Sequence, residues 1–181
     1  MNLFFSPHCD DESLFGCFTI QRENPLVVVV FDGRIQQKRG LPVTAQDRRN
    51  ETIFALQEIG ALALFMGYSD ADDDPPSLKD NIRALIERHK PEKVWAPAIE
   101  KDGHVQHNLV GRLVAEAFPA TQGYLTYTRT GGKSTNGKPV PIEPGMIQRK
   151  LRALACYTSQ IDIVANCREH FLRDLKEYYA A

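Results

Sequence analysis

The sequence predicts an α/β fold, with three layers arranged α/β/α around a mostly parallel central sheet. Three observations predict it. The run Leu26-Val27-Val28-Val29-Val30-Phe31 is apolar on both faces and largely β-branched, as a parallel strand covered by helices on each side requires. Short apolar runs alternate along the chain with segments whose apolar residues recur at helical spacing, the pattern of βα repeats. Finally, polar clusters rich in His and Asp follow the first and fourth of these runs, at the strand ends where open α/β sheets take their ligands.

Leu3-Phe4-Phe5, ahead of Pro7, reads as a buried strand feeding a helix over residues 12 to about 22. After the second strand, ended by Asp32-Gly33, the spacing of Ile53, Leu56 and Ile59 predicts a helix. Thr44 is suited to be its N-cap and Gly60 to close it. Leu62-Ala63-Leu64-Phe65 fits a third strand and residues 70–76 an acidic loop. Ile82, Leu85 and Ile86 mark a further helix ending near Lys90-Pro91. Residues 93–97 give a fourth strand. The next helix carries Leu109, Val110, Leu113, Val114 and Ala117 on one face, with Pro119 just beyond its end. A fifth strand is expected over 123–128, an exposed loop or hairpin over the Gly- and Pro-rich 129–141, and helices over about 144–156 and 165–179. The order is Rossmann-like, and with no internal repeat or linker the 181 residues are expected to form a single domain, 1–181.

Composition narrows the function classes. With 22 Lys and Arg against 23 Asp and Glu, the chain has no basic field to hold nucleic acid or an anionic membrane. Its longest apolar stretch, 26–31, is far shorter than the ~20 residues of a spanning helix, and the N-terminus lacks the pattern of a signal peptide. Cys9, Cys17, Cys156 and Cys167 show no CxxC spacing, which favours reduced thiols and a cytoplasmic protein.

The two polar clusters carry the chemistry. Catalytic zinc sites use three ligands drawn from His, Asp, Glu and Cys and keep one position open. His8 and Asp11, three apart at a strand-to-helix turn, suit one ion, and His107 would complete the set. Asp10 points elsewhere and stays available to take a proton from water, while His104 could face a developing oxyanion. Glu12 is expected to serve the helix start, where the dipole favours a negative charge. Each motif alone is weak, and helix capping explains either one. Their shared position at strand ends, holding three of the five histidines, favours a metal site.

Pro7-His8-Cys9-Asp10-Asp11-Glu12, followed much later by His104-Val105-Gln106-His107, resembles the pattern of the LmbE-like, or PIG-L, deacetylase family. Arg48-x-x-Glu51, Ala55 and Ile59-Gly60 are similar to that family's second helix, Gly67-Tyr68-Ser69-Asp70 to its next loop, and Lys150, Ala153, Leu154, Tyr157 and Ser159-Gln160 to its C-terminal signature. The resemblance implies zinc-dependent removal of an N-acetyl group from an N-acetylglucosamine-type sugar or conjugate, a small-molecule substrate. It implies His8, Asp11 and His107 as zinc ligands, Asp10 as general base and His104 as the oxyanion-stabilising or acid histidine. It also implies Arg48 as a substrate contact and, with less support, Asp70. Cys9 departs from the family's usual proline and raises the question of a sulfur ligand, which its expected direction disfavours. The chain is short for the family, with little sequence after the last signature to build a cap. Ester or phosphoester hydrolysis and a non-catalytic binding module are the alternatives. Gly131-Gly132-Lys133-Ser134 reads as a flexible turn, His89 and His170 as surface or packing residues, and Trp95 as core.

Overall fold

The computed structural model describes residues 1–32, 36–38, 41–127, 136–160 and 175–181, with side chains described outside 33–42 in the first of these gaps. The chain runs β1 (Leu3–His8), α1 (Asp11–Phe15), α2 (Cys17–Glu23), β2 (Leu26–Phe31), β3 (Gln36–Lys38), β4 (Leu41–Val43), α3 (Ala45–Glu58) and β5 (Leu62–Tyr68). It continues with α4 (Leu78–His89), β6 (Val94–Pro97), α5 (Val105–Ala117), β7 (Gln122–Tyr124), β8 (Gly137–Pro139), α6 (Met146–Ala155) and β9 (Tyr178–Ala180). A seven-stranded sheet has the order β5-β2-β1-β6-β7-β9-β8, and β3 and β4 form a separate antiparallel pair. Strands β5, β2, β1, β6 and β7 are mutually parallel, whereas β9 is antiparallel to β7 and β8.

Alternation along the central strands sorts the core into two layers. Phe4, Val27 and Val29 join Leu14, Cys17, Ile20, Leu56 and Leu154 on one face. Leu3, Phe5, Val28 and Val30 join Ile82, Ile86, Val110 and Val114 on the other. Because β2 is covered on both sides, every position from Val27 to Phe31 is buried, and the uninterrupted apolar run follows. Helices α1, α2, α3 and α6 therefore cover one face and α4 and α5 the other. Strands β1 and β6 are adjacent and send their following helices to opposite faces, which makes the space beyond their carboxyl ends the switch point of the sheet.

Most predicted elements are present. Thr44 caps α3 as expected: its Oγ accepts from the Asp47 backbone N–H at 3.1 Å, and the Asp47 carboxylate accepts from the Thr44 N–H at 2.9 Å. Gly60 follows the helix at φ 74°, a left-handed position that suits glycine. Trp95 is core, as expected, and β5 runs on to Tyr68, beyond the predicted 62–65.

Three expectations are corrected. The helix predicted over 12–22 is interrupted at Gly16, with φ −122°, into α1 and α2, and the Phe4 ring packs where a side chain at Gly16 would lie. The strand expected over 123–128 is Gln122–Tyr124, although the Leu125 N–H still donates to the Tyr178 carbonyl of β9, at 2.8 Å. The last residues of the helix expected over 165–179 instead form β9, since the edge of β7 and the strand β8 offer their backbone groups partners that override local preference. Residues 175–177 are in neither helix nor strand, and 165–174, with His170, Cys167 and Gly131-Gly132-Lys133-Ser134, lie outside the described residues.

Candidate active site

The turn after β1 is shaped from below by a buried carboxylate. Glu12 accepts from the Ser6 hydroxyl at 3.0 Å, from the Asp10 N–H at 3.2 Å and from the Tyr157 hydroxyl. It is fully buried, and burial raises its pKa despite those hydrogen bonds. Glu12 stands in the first turn of α1, as expected, and is also a strut, joining β1, the turn and the segment after α6. Above it Asp10 adopts φ 136°, a region that costs a non-glycine residue of order 1–3 kcal/mol. Its carboxylate makes no cap for α1, so ordinary helix capping does not account for it.

His8, Asp11 and His107 converge. His8 Nδ1 lies 3.0 Å from Asp11 Oδ2 and 3.2 Å from His107 Nε2, and His107 Nε2 lies 3.0 Å from the same Asp11 oxygen. Two ring nitrogens and one carboxylate oxygen thus form a near-equilateral triangle. Tetrahedral zinc with bonds of about 2.0–2.1 Å has ligand–ligand edges of about 3.3 Å, so the triangle fits such an ion. The three residues are, among the described residues, the group able to hold a metal. The protein alone satisfies them incompletely, because two imidazole nitrogens and one oxygen compete for the protons between them, whereas a cation would accept all three lone pairs. Burial opposes a charge on His8, but the hydrogen bond and charge of Asp11, with Gln106, outweigh it and raise its pKa to about 9. Burial also opposes the Asp11 carboxylate, yet the adjacent His107 and His8 hold its pKa well below the usual range. His107 Nδ1 meets the Thr126 hydroxyl at 3.1 Å.

Asp10 stands beside the triangle and outside it. Burial raises its pKa to about 7, with Arg48 opposing and the like charges of Asp11 and Glu12 assisting. Arg48 reaches in from α3: its Nη2 donates to the Cys9 carbonyl at 2.6 Å and lies 3.5 Å from Asp10 Oδ2, while Nη1 donates to Asp70 Oδ2 at 3.4 Å. Arg49, one residue on, turns away to Asp32, with Nε 2.7 Å from Oδ2. Arg48 Nε and Asp70 Oδ1 are buried with no hydrogen-bond partner, a state that calls for an explanation in a folded protein. Cys9 is buried in the core and does not join the triangle, as its sequence position suggested.

His104 is the N-cap of α5, its Nδ1 accepting from the Gln106 N–H at 3.3 Å. In the neutral ring the proton then sits on Nε2, so His104 offers an N–H donor without needing a positive charge. Its ring centroid lies 5.3 Å from that of His8 and 5.0 Å from that of His107. All seven sequence-derived candidates meet at the switch point; His8, Asp10, Asp11, Arg48, Asp70 and His104 line a cavity of about 230 Å³, with His107 buried against its floor. Sequence reasoning missed Gln106, Tyr127 and Gln160 on the walls of this cavity and Thr126 behind His107. Gln160 had a signal in the Ser159-Gln160 pair: Glu51 grips that turn, accepting from the Ser159 N–H and hydroxyl, each at 2.6 Å, and from Thr158 Oγ at 2.9 Å.

Comparison with solved structures gives the same architecture at low sequence identity. N,N'-diacetylchitobiose deacetylase from Pyrococcus horikoshii, in complex with an inhibitor, superposes with a TM-score of 0.74 at 21% identity, over 96% of this chain and 76% of that one. The zinc inhibited form of the teicoplanin deacetylase Orf2 gives 0.71 at 18%, over 98% and 97%. GalB, the 4-carboxy-2-hydroxymuconate hydratase of Pseudomonas putida KT2440, gives 0.72 at 14%, over 99% and 94%. At these identities the likeness is one of fold, and the hydratase shows that the fold serves other chemistry too. No curated protein matches the sequence significantly. The family model of PIG-L, GlcNAc-PI de-N-acetylase, matches residues 3–118, a stretch that contains both polar clusters and helix α3 with Arg48, and the chain therefore belongs to the PIG-L, or LmbE-like, family.

Proposed function

We propose that this protein is a zinc-dependent hydrolase that removes the N-acetyl group of an N-acetylglucosamine-type amino sugar or its conjugate, acting as one domain over residues 1–181. The convergence of His8 Nδ1, His107 Nε2 and Asp11 Oδ2 at 3.0–3.2 Å, with the Asp10 carboxylate beside them, carries the reading. Membership of a de-N-acetylase family supports it, as does the presence of deacetylases among proteins of the same fold. His8, His107 and Asp11 hold the ion, since two imidazoles and one carboxylate are a donor set suited to zinc that leaves a position open. Zinc bound there supplies Lewis acidity that polarises an amide carbonyl and makes water a stronger nucleophile.

Asp10 takes the proton of the attacking water, since its carboxylate lines the cavity and is not committed to the triangle. Arg48, 3.5 Å from that carboxylate, keeps it oriented. His104 donates from Nε2 to the oxygen that gains negative charge as the carbonyl carbon becomes tetrahedral. As the C–N bond breaks, the amine leaves with the proton returned from Asp10, and acetate remains. Arg48 and Asp70, which line the cavity, contact the sugar. We place the protein in the cytoplasm, a reading supported by the free thiols of Cys9, Cys17 and Cys156; no helix among the described residues is long and apolar enough to cross a membrane.

The test is zinc content together with product identity. Protein loaded with one equivalent of zinc is expected to release acetate from N-acetylglucosamine conjugates, and to stop when the metal is removed by a chelator. Phosphate release from aryl phosphates with no acetate from any N-acetylated sugar would reject the reading in favour of phosphoester hydrolysis.

A further inference from the structure

Gln106, between the two histidines of α5, is buried to 3% exposure and makes contacts that face in opposite directions. Its Oε1 lies 2.7 Å from His8 Nε2. Its Nε2 donates to the backbone carbonyls of Asp70, at 3.1 Å, and Asp72, at 3.3 Å. Backbone carbonyls only accept, so these two bonds fix which end of the amide carries the hydrogens. The end facing His8 is then the carbonyl oxygen, and His8 must supply the proton from Nε2. A neutral His8 held this way has its lone pair on Nδ1, the atom that faces Asp11 and His107.

We propose that Gln106 is a positioning residue: it locks His8 in the tautomer that can bind metal, and with the other end of the same amide it holds the 70–72 loop at the cavity. The inference rests on the reading of His8, Asp11 and His107 as metal ligands. Metal capture and the placement of Asp70 are thereby one event. Outer partners that orient a ligating histidine set metal affinity through its tautomer and ring angle, and coupling between two sites is reciprocal in free energy. Zinc binding therefore steadies the acidic loop, and loss of the loop's anchor loosens zinc. Without the amide, the ring of His8 is free to put its proton on Nδ1 and present the wrong nitrogen. The loop would then keep Asp70 near Arg48 only through the 3.4 Å contact between them.

Gln106→Leu removes both ends of the amide, and Gln106→Glu keeps an acceptor for His8 while removing the two donors. Zinc affinity, read by competition with a chromophoric chelator, is expected to fall by about 10- to 100-fold in Gln106→Leu and to stay within tenfold of the parent in Gln106→Glu. Hydrogen exchange of the amides at 69–74 is expected to quicken in both variants, and to slow in the parent when zinc is added. Unaltered zinc affinity in a folded Gln106→Leu protein would overturn the tautomer lock. Unaltered exchange in Gln106→Glu, or no slowing in the parent on adding zinc, would overturn the coupling even if Gln106→Leu does not fold. None of these readouts needs turnover: a parent that shows all of them and releases no acetate retains this role for Gln106 and loses the deacetylase reading. Acetate release by a Gln106→Leu protein of parental zinc affinity does the reverse.

Discussion

Asp10 joins a buried carboxylate to a backbone angle of φ 136° and no capping bond. Strain of this kind persists where the surrounding structure imposes it, and it collects at functional sites. Asp10→Gly accepts the same angle without penalty and also removes a negative charge crowded by Asp11 and Glu12. That variant is expected to melt no lower than the parent and to bind zinc, while its kcat for acetate release falls by roughly 10²–10⁴-fold, the usual worth of a general base. Parental turnover in Asp10→Gly would remove Asp10 from proton transfer. The cysteines divide in the same residue-level way. Cys17 is buried, and burial pushes its thiol up to about 12 from an ordinary 9.0; Cys9 is raised by burial as well, and Cys156 is the half-buried one. Among these three, Cys156 is expected to react first with iodoacetamide at pH 8, as read by mass spectrometry. Because Cys17 keeps its proton in the folded state to about pH 12 but loses it near pH 9 when unfolded, its contribution to stability is whole below pH 9 and is lost as pH climbs toward 12.

At the scale of elements, α3 and the turn after β1 show how local chemistry positions the site. Helix α3 must present Arg48 inward and Glu51 toward residues 158–159, and its first turn is fixed by the reciprocal bonds of Thr44 and Asp47. Thr44→Ala removes one half of that box, and the melting curve is expected to report a loss of about 1 kcal/mol. Exposed Asp47 has its pKa lowered by the Thr44 bonds, so the capping contribution is present above the unfolded value and fades as the carboxylate protonates in acid. Thr44, Gly60 and the apolar spacing of α3 could all be read from the sequence because each acts within a few residues. The break at Gly16 could not. There the Phe4 ring, a neighbour in space contributed by β1, leaves no room for a side chain.

For the whole molecule, the C-terminal strand is tied to the site by a buried ion pair. Lys150 Nζ lies 2.5 Å from Glu177 Oε1 and 2.9 Å from the Leu14 carbonyl, and Glu177 Oε2 accepts from the Phe18 N–H at 2.9 Å. Both side chains are fully buried. Removing one partner strands the other charge, so Lys150→Met is expected to destabilise by about 3–5 kcal/mol in chemical denaturation. Adding Glu177→Gln, which keeps an acceptor for Phe18, is expected to recover a large part of that loss. Failure of the double variant to recover would mean that packing around Lys150, including its place over the Phe18 ring, matters more than its charge. The sequence by itself determined the layered α/β class, the order of its parallel strands and helices, and five of the candidate residues, His8, Asp10, Asp11, His104 and His107, because these follow from local periodicity and from polar clusters at strand ends; Arg48 and Asp70 came from the family resemblance. The tertiary structure alone decided that β9 replaces a helical end, that Glu12 is a strut and that Gln106 joins His8 to the Asp70 loop. Those outcomes depend on partners about 35 to 145 residues away, and such pairings become visible only when the sheet brings them together.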